Sequence, residues 1–361
     1  MKPHRLRLAT AAGLAGVLAA GVGSLTAQTV PASRRSNPSV VVLIPAAPDD
    51  WTRHFRVGGM AALNIDASFS IGGNITVSGN NLANGIYDDG YVRVDNTGNA
   101  GGLTGYWGYN NASQYDASTR TLLMHSTSAF NAAGASTEES EPQPGFDLAY
   151  GGNLWHWAGG RLGWELGFGL VPIQIKGNLN TSATVDLLSR TFHVPDGVDL
   201  PGAPYQGGVS GEGEPVIQSD PTSQTSQTLT DGTVSGLHTV DVTLYTLRLG
   251  PSLYWDLSQR IALSVGAGPA VGVVDGNFKY DDLISAGGVS SHDIGSVNTT
   301  ELVYGGYVNA TLMYHVQPDA DIYVGVEYMP LGNVSFSSSG RSSELKLGGQ
   351  IYLSAGINWP F

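Results

Sequence analysis

The chain has 361 residues with 30 acidic against 17 basic side chains, a formal charge of −13, which argues against binding nucleic acid through its phosphates. It contains no cysteine, so disulfides, thiolate metal sites and a lipidated-cysteine anchor are excluded. Fifty glycines and 13% charged residues suit a β-protein of long alternating strands and polar loops. No apolar run of about 20 residues follows the leader, so helical membrane spans are not expected.

In chain order, Lys2, Arg5 and Arg7 precede an uncharged Ala/Gly/Leu/Val run over residues 8–25 and then small residues. This reads as a secretory signal peptide, 1–27, with cleavage after Ala27; as a retained anchor the run is only marginally long enough. Residues 28–50 form a Pro/Ser-rich lead, expected to be a mobile periplasmic tail, within which the segment 39–45 (SVVVLIP) has strand character.

From there to the carboxyl end, period-two alternation marks eight segments long enough to cross a bilayer as tilted strands of roughly 9–11 residues. The first, 55–70, sets Phe55, Val57, Leu63, Ile65 and Phe69 against Arg56, Asn64 and Asp66. The second, 146–155, sets Phe146, Leu148 and Tyr150 against Asp147. In the third, 161–176, Leu162, Trp164, Leu166, Phe168 and Leu170 alternate with Arg161, Glu165 and glycines. The fourth, 240–255, opposes Tyr245, Leu247, Leu249, Leu253 and Trp255 to Thr246, Arg248 and Ser252. The fifth, 261–275, has Ile261, Leu263, Val265, Val271 and Val273 on one face and small residues on the other. The sixth, 301–316, and seventh, 321–336, follow the same rule, with Glu301, Asn309, His315, Asp321 and Glu327 on their polar faces. In the last, 344–361, the odd positions Leu345, Leu347, Ile351, Leu353, Ala355, Ile357, Trp359 and Phe361 are apolar, and the even ones include Glu344, Lys346, Gln350 and Asn358.

The connections alternate in length. Tight turns near 157–160, 257–260 and 317–320 separate long links at about 71–145 and 177–237 and shorter ones after the fifth and seventh segments, the asymmetry of short periplasmic turns and long extracellular loops. Trp155, Trp157, Trp164, Tyr254, Trp255, Tyr314, Trp359 and Phe361 gather at the tight-turn end, where an interfacial girdle would lie. Residues 183–194 in the second long link, and 91–94, 103–107 and 121–125 in the first, also have strand character. They are compatible with hairpins above the membrane, which we favour, with extensions of the main strands, or with two further strands making ten. The fold class read from these patterns is all-β: a closed antiparallel transmembrane β-barrel of eight strands occupying 51–361.

Eight strands enclose a space that side chains can fill. Of the inward charges, Arg56, Glu165, Arg248 and Glu327 are placed deepest in the lumen, either as an ion-pair network that fills it or as the lining of a narrow polar path.

Catalytic signals are weak. His125 with Ser126 and Ser128, and Ser291 with His292 and Asp293, lie in serine-dense segments where chance adjacency is expected, so no catalytic residue is assigned. Asp88, Asp89, Asp95 and Asn96 offer hard oxygen donors without the spacing of a calcium loop, so no metal and no cofactor is expected.

The terminal pattern Ile351, Leu353, Ala355, Ile357, Trp359, Phe361, together with the turn asymmetry, resembles the small eight-stranded outer-membrane barrels of the OmpA-transmembrane, OmpX and OmpW-like superfamily. The resemblance implies residence in the outer membrane of a Gram-negative-type bacterium as a monomer in contact with its lipids. It also implies that Ile351, Leu353, Ile357, Trp359 and Phe361 carry the signal read by the barrel-assembly machinery. The function expected is structural or surface-interactive, with a surface ligand met by the long loops. A narrow porin-like channel for small solutes is the alternative, and a lipid A-modifying enzyme, known among such barrels, comes third.

Overall fold

The computed structural model describes residues 52–77, 82–210, 213–317 and 320–361. The signal peptide at 1–27 and the lead at 28–50 lie outside the described residues. Strand β1 (Arg53–Leu63) continues into β2 (Asp66–Thr76) across Asn64 and Ile65. Five short strands follow, β3 (Ile86–Tyr87), β4 (Gly90–Val92), β5 (Leu103–Thr104), β6 (Trp107–Tyr109) and β7 (Tyr115–Asp116), and then β8 (Thr121–Glu139) and β9 (Gln143–Trp157). Beyond the long β10 (Gly160–His193) come β11 (Tyr205–Gln206) and β12 (Ile217–Gln218), and three more long strands, β13 (Ser223–Asp256), β14 (Ile261–Ala286) and β15 (Val289–Gln317). The chain closes with β16 (Ala320–Tyr328), β17 (Val334–Ser338), β18 (Arg341–Lys346) and β19 (Ile351–Pro360). Helical structure among the described residues is limited to three short 3-10 turns.

Every ladder is antiparallel. Pairings run β13, β14, β15, β16, β19, β1, β9, β10, and β10 pairs in turn with β13, so the order returns to its first strand. Each of the eight expected segments contributes to one of these strands, although the first, seventh and last also extend past a break into β2, β17 and β18, and the strands form a basal tier bounded by the tight turns. Above it lies a distal tier. There β10, β13, β14 and β15 simply continue, while β8, β2, β18 and β17 stand in for β9, β1, β19 and β16. The strands therefore run on into the segments 71–145 and 177–237 that the alternation assigned to loops. The described parts of the links proper, within 77–120 and 194–222, carry the short strands and pack around Trp107, Tyr109, Leu122, Met124 and Phe192 as a cap.

The two tiers differ in which face is apolar, and the chain makes the change in two ways. Four adjacent strands break at one level. Asn64, with φ 60, donates its side-chain amide to the Gly349 carbonyl at 2.7 Å, Ser140 N donates to Ile65 O, and Gln350 donates to Met329 O at 2.7 Å. A residue at positive φ is tolerated best by Gly, Asn or Asp, and one irregular step turns every later side chain to the other face. Hence even positions His54, Arg56 and Met60 are buried in β1, but odd positions Ala67, Phe69 and Ile71 in β2.

The four unbroken strands keep their parity and exchange residue type instead. Outward positions of β10 read Leu166, Phe168, Leu170 and then Gln174, Lys176, Asn178; inward ones read Arg161, Glu165, Gly167 and then Val171, Ile173, Ile175. The basal tier is thus polar inside and apolar outside, and the distal tier the reverse.

This corrects the single apolar faces expected for the first and last segments. Ile65, Phe69, Leu345 and Leu347 lie in the distal core, whereas Phe55, Ile351, Leu353, Ile357 and Trp359 are exposed on the basal exterior. Asp66, Glu344 and Lys346, expected inward, alternate with buried neighbours and face out. The cause is the break itself, which a count of parity cannot see.

Candidate functional site

The basal interior brings together the four charges singled out in the sequence and adds a fifth that organises them. Arg56 on β1 places Nη2 2.8 Å from Glu165 Oε1 on β10. Arg248 on β13 places Nη2 2.7 Å from Asp147 Oδ1 on β9 and Nε 2.9 Å from Glu327 Oε2 on β16. Asp147 also lies 4.0 Å from Arg56, so it stands between both guanidiniums. All five side chains are buried or nearly so. A charge in such a place must be paired and hydrogen-bonded, and here each cation faces two carboxylates.

Local sequence makes the room. Gly167 lies beneath Arg248, where a Cβ would fall 2.4 Å from the guanidinium carbon, so the inward glycines of β10 are the space the arginine fills. Tyr323 and Tyr307 flank Arg56 and Arg248 with ring centroids at 5.1 and 6.0 Å. His54 sits 3.5 Å from Glu165 and exchanges a 2.9 Å hydrogen bond with Tyr254. Tyr254, expected in the outer girdle, is therefore an interior residue; its even position on β13 puts it beside Arg248 and Ser252. The space left among Arg56, Asp147, Arg248, Glu327 and Tyr352 is about 10 Å³, room for a single water. Nearer the turns, His315 is 2.6 Å from Asp321, which also accepts from Asn358 at 2.8 Å.

A second charged cluster lies inside the distal core. Arg341 on β18 reaches Asp282 on β14 at 2.8 Å and Asp293 on β15 at 2.7 Å, and His238 on β13 reaches Asp282 at 3.0 Å. Burial pushes the Asp282 carboxyl up, but hydrogen bonds and charge from His238 and Arg341 outweigh it and hold the group below its ordinary value. The ring of Tyr280 lies 4.4 Å from the guanidinium. Sequence reading missed this cluster because its members fall in links or at the margins of segments. The signal that could have found it is Asp282 and His238 on the apolar parity of their strands.

The remaining candidates separate. His125 bonds Asp89 at 2.6 Å on the outer face of β8, while Ser126 points the opposite way. His292 turns outward to Asp281, and Ser291 and Asp293 turn inward. Neither set forms a nucleophile and base. Asp95 accepts from Thr97 Oγ1 at 2.6 Å and from the amides of Thr97 and Gly105, and these bonds, the Thr97 hydroxyl first, lower its pKa to about 2. Asp88 accepts from Thr127 N and Asp89 from His125, so these acids are spent on the chain. No group of three metal-ligating side chains occurs among the described residues.

In the terminal strand Ile351, Leu353, Ile357 and Trp359 project from the basal exterior, and Trp359 stacks on Phe55 of β1. Phe361 is exposed as a side chain, and its backbone exchanges hydrogen bonds with Arg53 at 2.9 and 2.8 Å.

No family model matches the chain, and no curated protein matches it. The solved structures to which it is similar include outer-membrane proteins. OmpT, the outer membrane protease of Escherichia coli, is 11% identical over 85% of this chain and 97% of its own, with a TM-score of 0.27. OprG of Pseudomonas aeruginosa is 11% identical over 86% and 97%, with a TM-score of 0.25. Ail, the attachment invasion locus protein of Yersinia pestis, is 13% identical over 83% and 98%, with a TM-score of 0.23. Scores of this size carry no functional weight, which leaves the geometry of the two tiers.

Proposed function

We propose that the protein is an integral outer-membrane β-barrel: the basal tier closes into eight strands across the bilayer, and the distal tier and cap stand outside the cell as a structural or interaction surface. The observation that carries this reading is the exchange of faces between the tiers. Leu249, Leu302, Val324 and Leu353 are each roughly half exposed on the basal exterior, in a band far larger than a soluble monomer tolerates. Of these strands β13 and β15 run on upward, and there their outward positions turn polar, where water would be the solvent.

Aromatics mark both edges of the band, with Tyr245, Tyr304, Tyr328 and Phe146 above and Trp157, Tyr314, Trp359 and Phe361 below, all exposed. On β15, Tyr304 and Tyr314 are separated by about 33 Å of strand at ~3.3 Å per residue. At a tilt of ~40° that is roughly 25 Å of height, the apolar band of such barrels. The terminal strand, with Phe361, is in this reading the segment offered to the assembly machinery.

Two layers of packing speak against the alternative of a narrow channel. An axial path would cross the Arg56–Glu165–Asp147–Arg248–Glu327 network and then a distal core containing Phe69, Ile173, Val242, Leu244 and Phe278.

The absence of cysteine permits a direct test. A membrane-impermeant maleimide should label Ala117→Cys, in an exposed link of the cap, on intact cells, and Gln259→Cys, in a tight turn, only after permeabilisation. The opposite pattern would sink the reading.

A further inference from the structure

The cap holds a cleft lined by two arginines. It has a volume of about 680 Å³, within the ~300–1,000 Å³ of ligand pockets, and lies where the two long links and the end of β10 meet. Two arginines line it, Arg93 beyond β4 and Arg190 near the end of β10. Each is held by neutral partners. Arg93 donates to the Tyr106 hydroxyl at 3.0 Å and lies over that ring at 5.1 Å; Arg190 donates to Gln224 at 2.9 Å and to the Tyr87 hydroxyl at 3.3 Å. Among the described residues neither has a carboxylate within 4.0 Å, in contrast to Arg56, Arg161, Arg248 and Arg341. In a chain of formal charge −13 that pairs its buried arginines with acids, two guanidiniums in one cleft, Arg93 exposed and Arg190 half-buried, each anchored by neutral partners and not by a carboxylate, are an anion-binding arrangement.

The other walls narrow the ligand. Val94 and Val209 leave apolar surface exposed at the rim, and Tyr106 offers an aromatic edge. Asn99, Ser219 and Asp220 supply both donors and acceptors to the same space. Fatty or purely aromatic ligands have no use for the Asp220 carboxylate, whereas hydroxyl groups donate to it. We propose that this cleft binds a carboxylated saccharide, its carboxylate held by the forks of Arg93 and Arg190, its hydroxyls by Asp220 and the neutral polar groups, and its carbon face against Val94 and Val209.

The inference deepens the surface-interaction reading and rests on it for its biological setting, since the cap must face the outside to meet such a ligand. Its test does not depend on location. Full-length protein refolded in detergent is titrated with a galacturonate oligomer and with the same oligomer after reduction of its carboxyl groups. Saturable binding of the acidic form, weakened at least tenfold on reduction and tenfold or more in Arg93→Gln and in Arg190→Gln, is expected. Val94→Asp, at a position 64% exposed and so without consequence for folding, should weaken binding by repulsion, while Arg260→Gln at the basal turn should leave it unchanged. No saturable binding, equal binding of the reduced oligomer, or undiminished binding in all three cleft variants would overturn the proposal. The labelling pattern at Ala117→Cys and Gln259→Cys would be unaffected by that failure, so the two readings fall separately.

Discussion

Arg341 donates through Nε to Asp282 at 2.8 Å inside an apolar core, and in doing so it spans a gap in the backbone ladder. Strands β15 and β17 are neighbours in the distal tier, yet the only bridge joining their vicinity among the described residues is Gly305 to Leu331, at the level of the strand breaks. Arg341, on the strand paired with β17, reaches Asp293 on β15 and Asp282 on β14. Side-chain ion pairs do here what backbone hydrogen bonds do elsewhere. Arg341→Leu leaves the buried Asp293 without its cation and Asp282 with His238 alone, and should cost about 3–5 kcal/mol. Limited proteolysis of the refolded protein should then cut within β17 and β18 while the basal tier still resists boiling in sodium dodecyl sulfate.

The same cluster sets an acid limit. Because the folded Asp282 pKa lies below its ordinary 3.8, its contribution is fully present above that value and is lost as pH falls through the folded pKa. Distal protease resistance should therefore decline below about pH 4, and Asp282→Asn should show the loss already at neutral pH. Asp95 follows the same sign. Its contribution to the first link is complete above 3.8 and falls away toward about 2, and Asp95→Ala should expose 93–105 to proteolysis at pH 7.

In the basal interior, Arg248→Met strands Asp147 and Glu327 without their shared cation, a loss of about 3–5 kcal/mol. The triple variant Arg248→Met, Asp147→Asn, Glu327→Gln should recover most of it. Urea unfolding followed on cold gels measures both, and planar bilayers with the unaltered protein should show no conductance steps.

The membrane boundary proposed across the continuous strands predicts position-dependent tolerance on one face of one strand. Leu249→Arg on β13 should cost about 2–4 kcal/mol in lipid vesicles, the usual figure for a cation near the bilayer midplane. Thr239→Arg, on the same outward face but in the distal tier, should cost almost nothing. Equal costs would place both positions in one solvent and remove the boundary.

At the seam between β1, β19 and β16, Gly58 is required by contact. A Cβ there would meet the Tyr323 hydroxyl at 2.1 Å and the Ala355 carbonyl at 2.5 Å. Gly58→Val should destabilise the basal tier by about 1–3 kcal/mol, seen as lost heat-modifiable mobility.

Much of this was legible in the sequence, because period-two alternation reports directly which side chains share a face. Strand segments, tight turns and the inward Arg56, Glu165, Arg248 and Glu327 follow from it. What alternation could not report was the height at which the faces exchange. At Asn64 the phase slips through one backbone torsion, and at Leu170–Val171 it is carried by two adjacent apolar residues that look like a simple run. The polar outer faces of the distal strands then passed for loop. Alternation puts Asp147 on the polar face of its segment, but its place between two arginines depends on which strands are neighbours, and that is a property of the pairing order.

β1 and β19 pair from His54 with Pro360 to Leu63 with Ile351, so the first and last of the described strands lie side by side. β14 and β15, by contrast, are joined by only Gly287 and Gly288 and zip as a local hairpin. Assembly is accordingly uneven in time. The middle of the chain can order early, but the outer rim of β1 keeps a row of bare amides and carbonyls until the final residues are delivered, and contacts so distant along a chain form slowly. Until β19 is in place the molecule is an open ribbon whose free margin can pair with any other exposed strand, so the closing of this one seam separates the folded chain from a self-associating one.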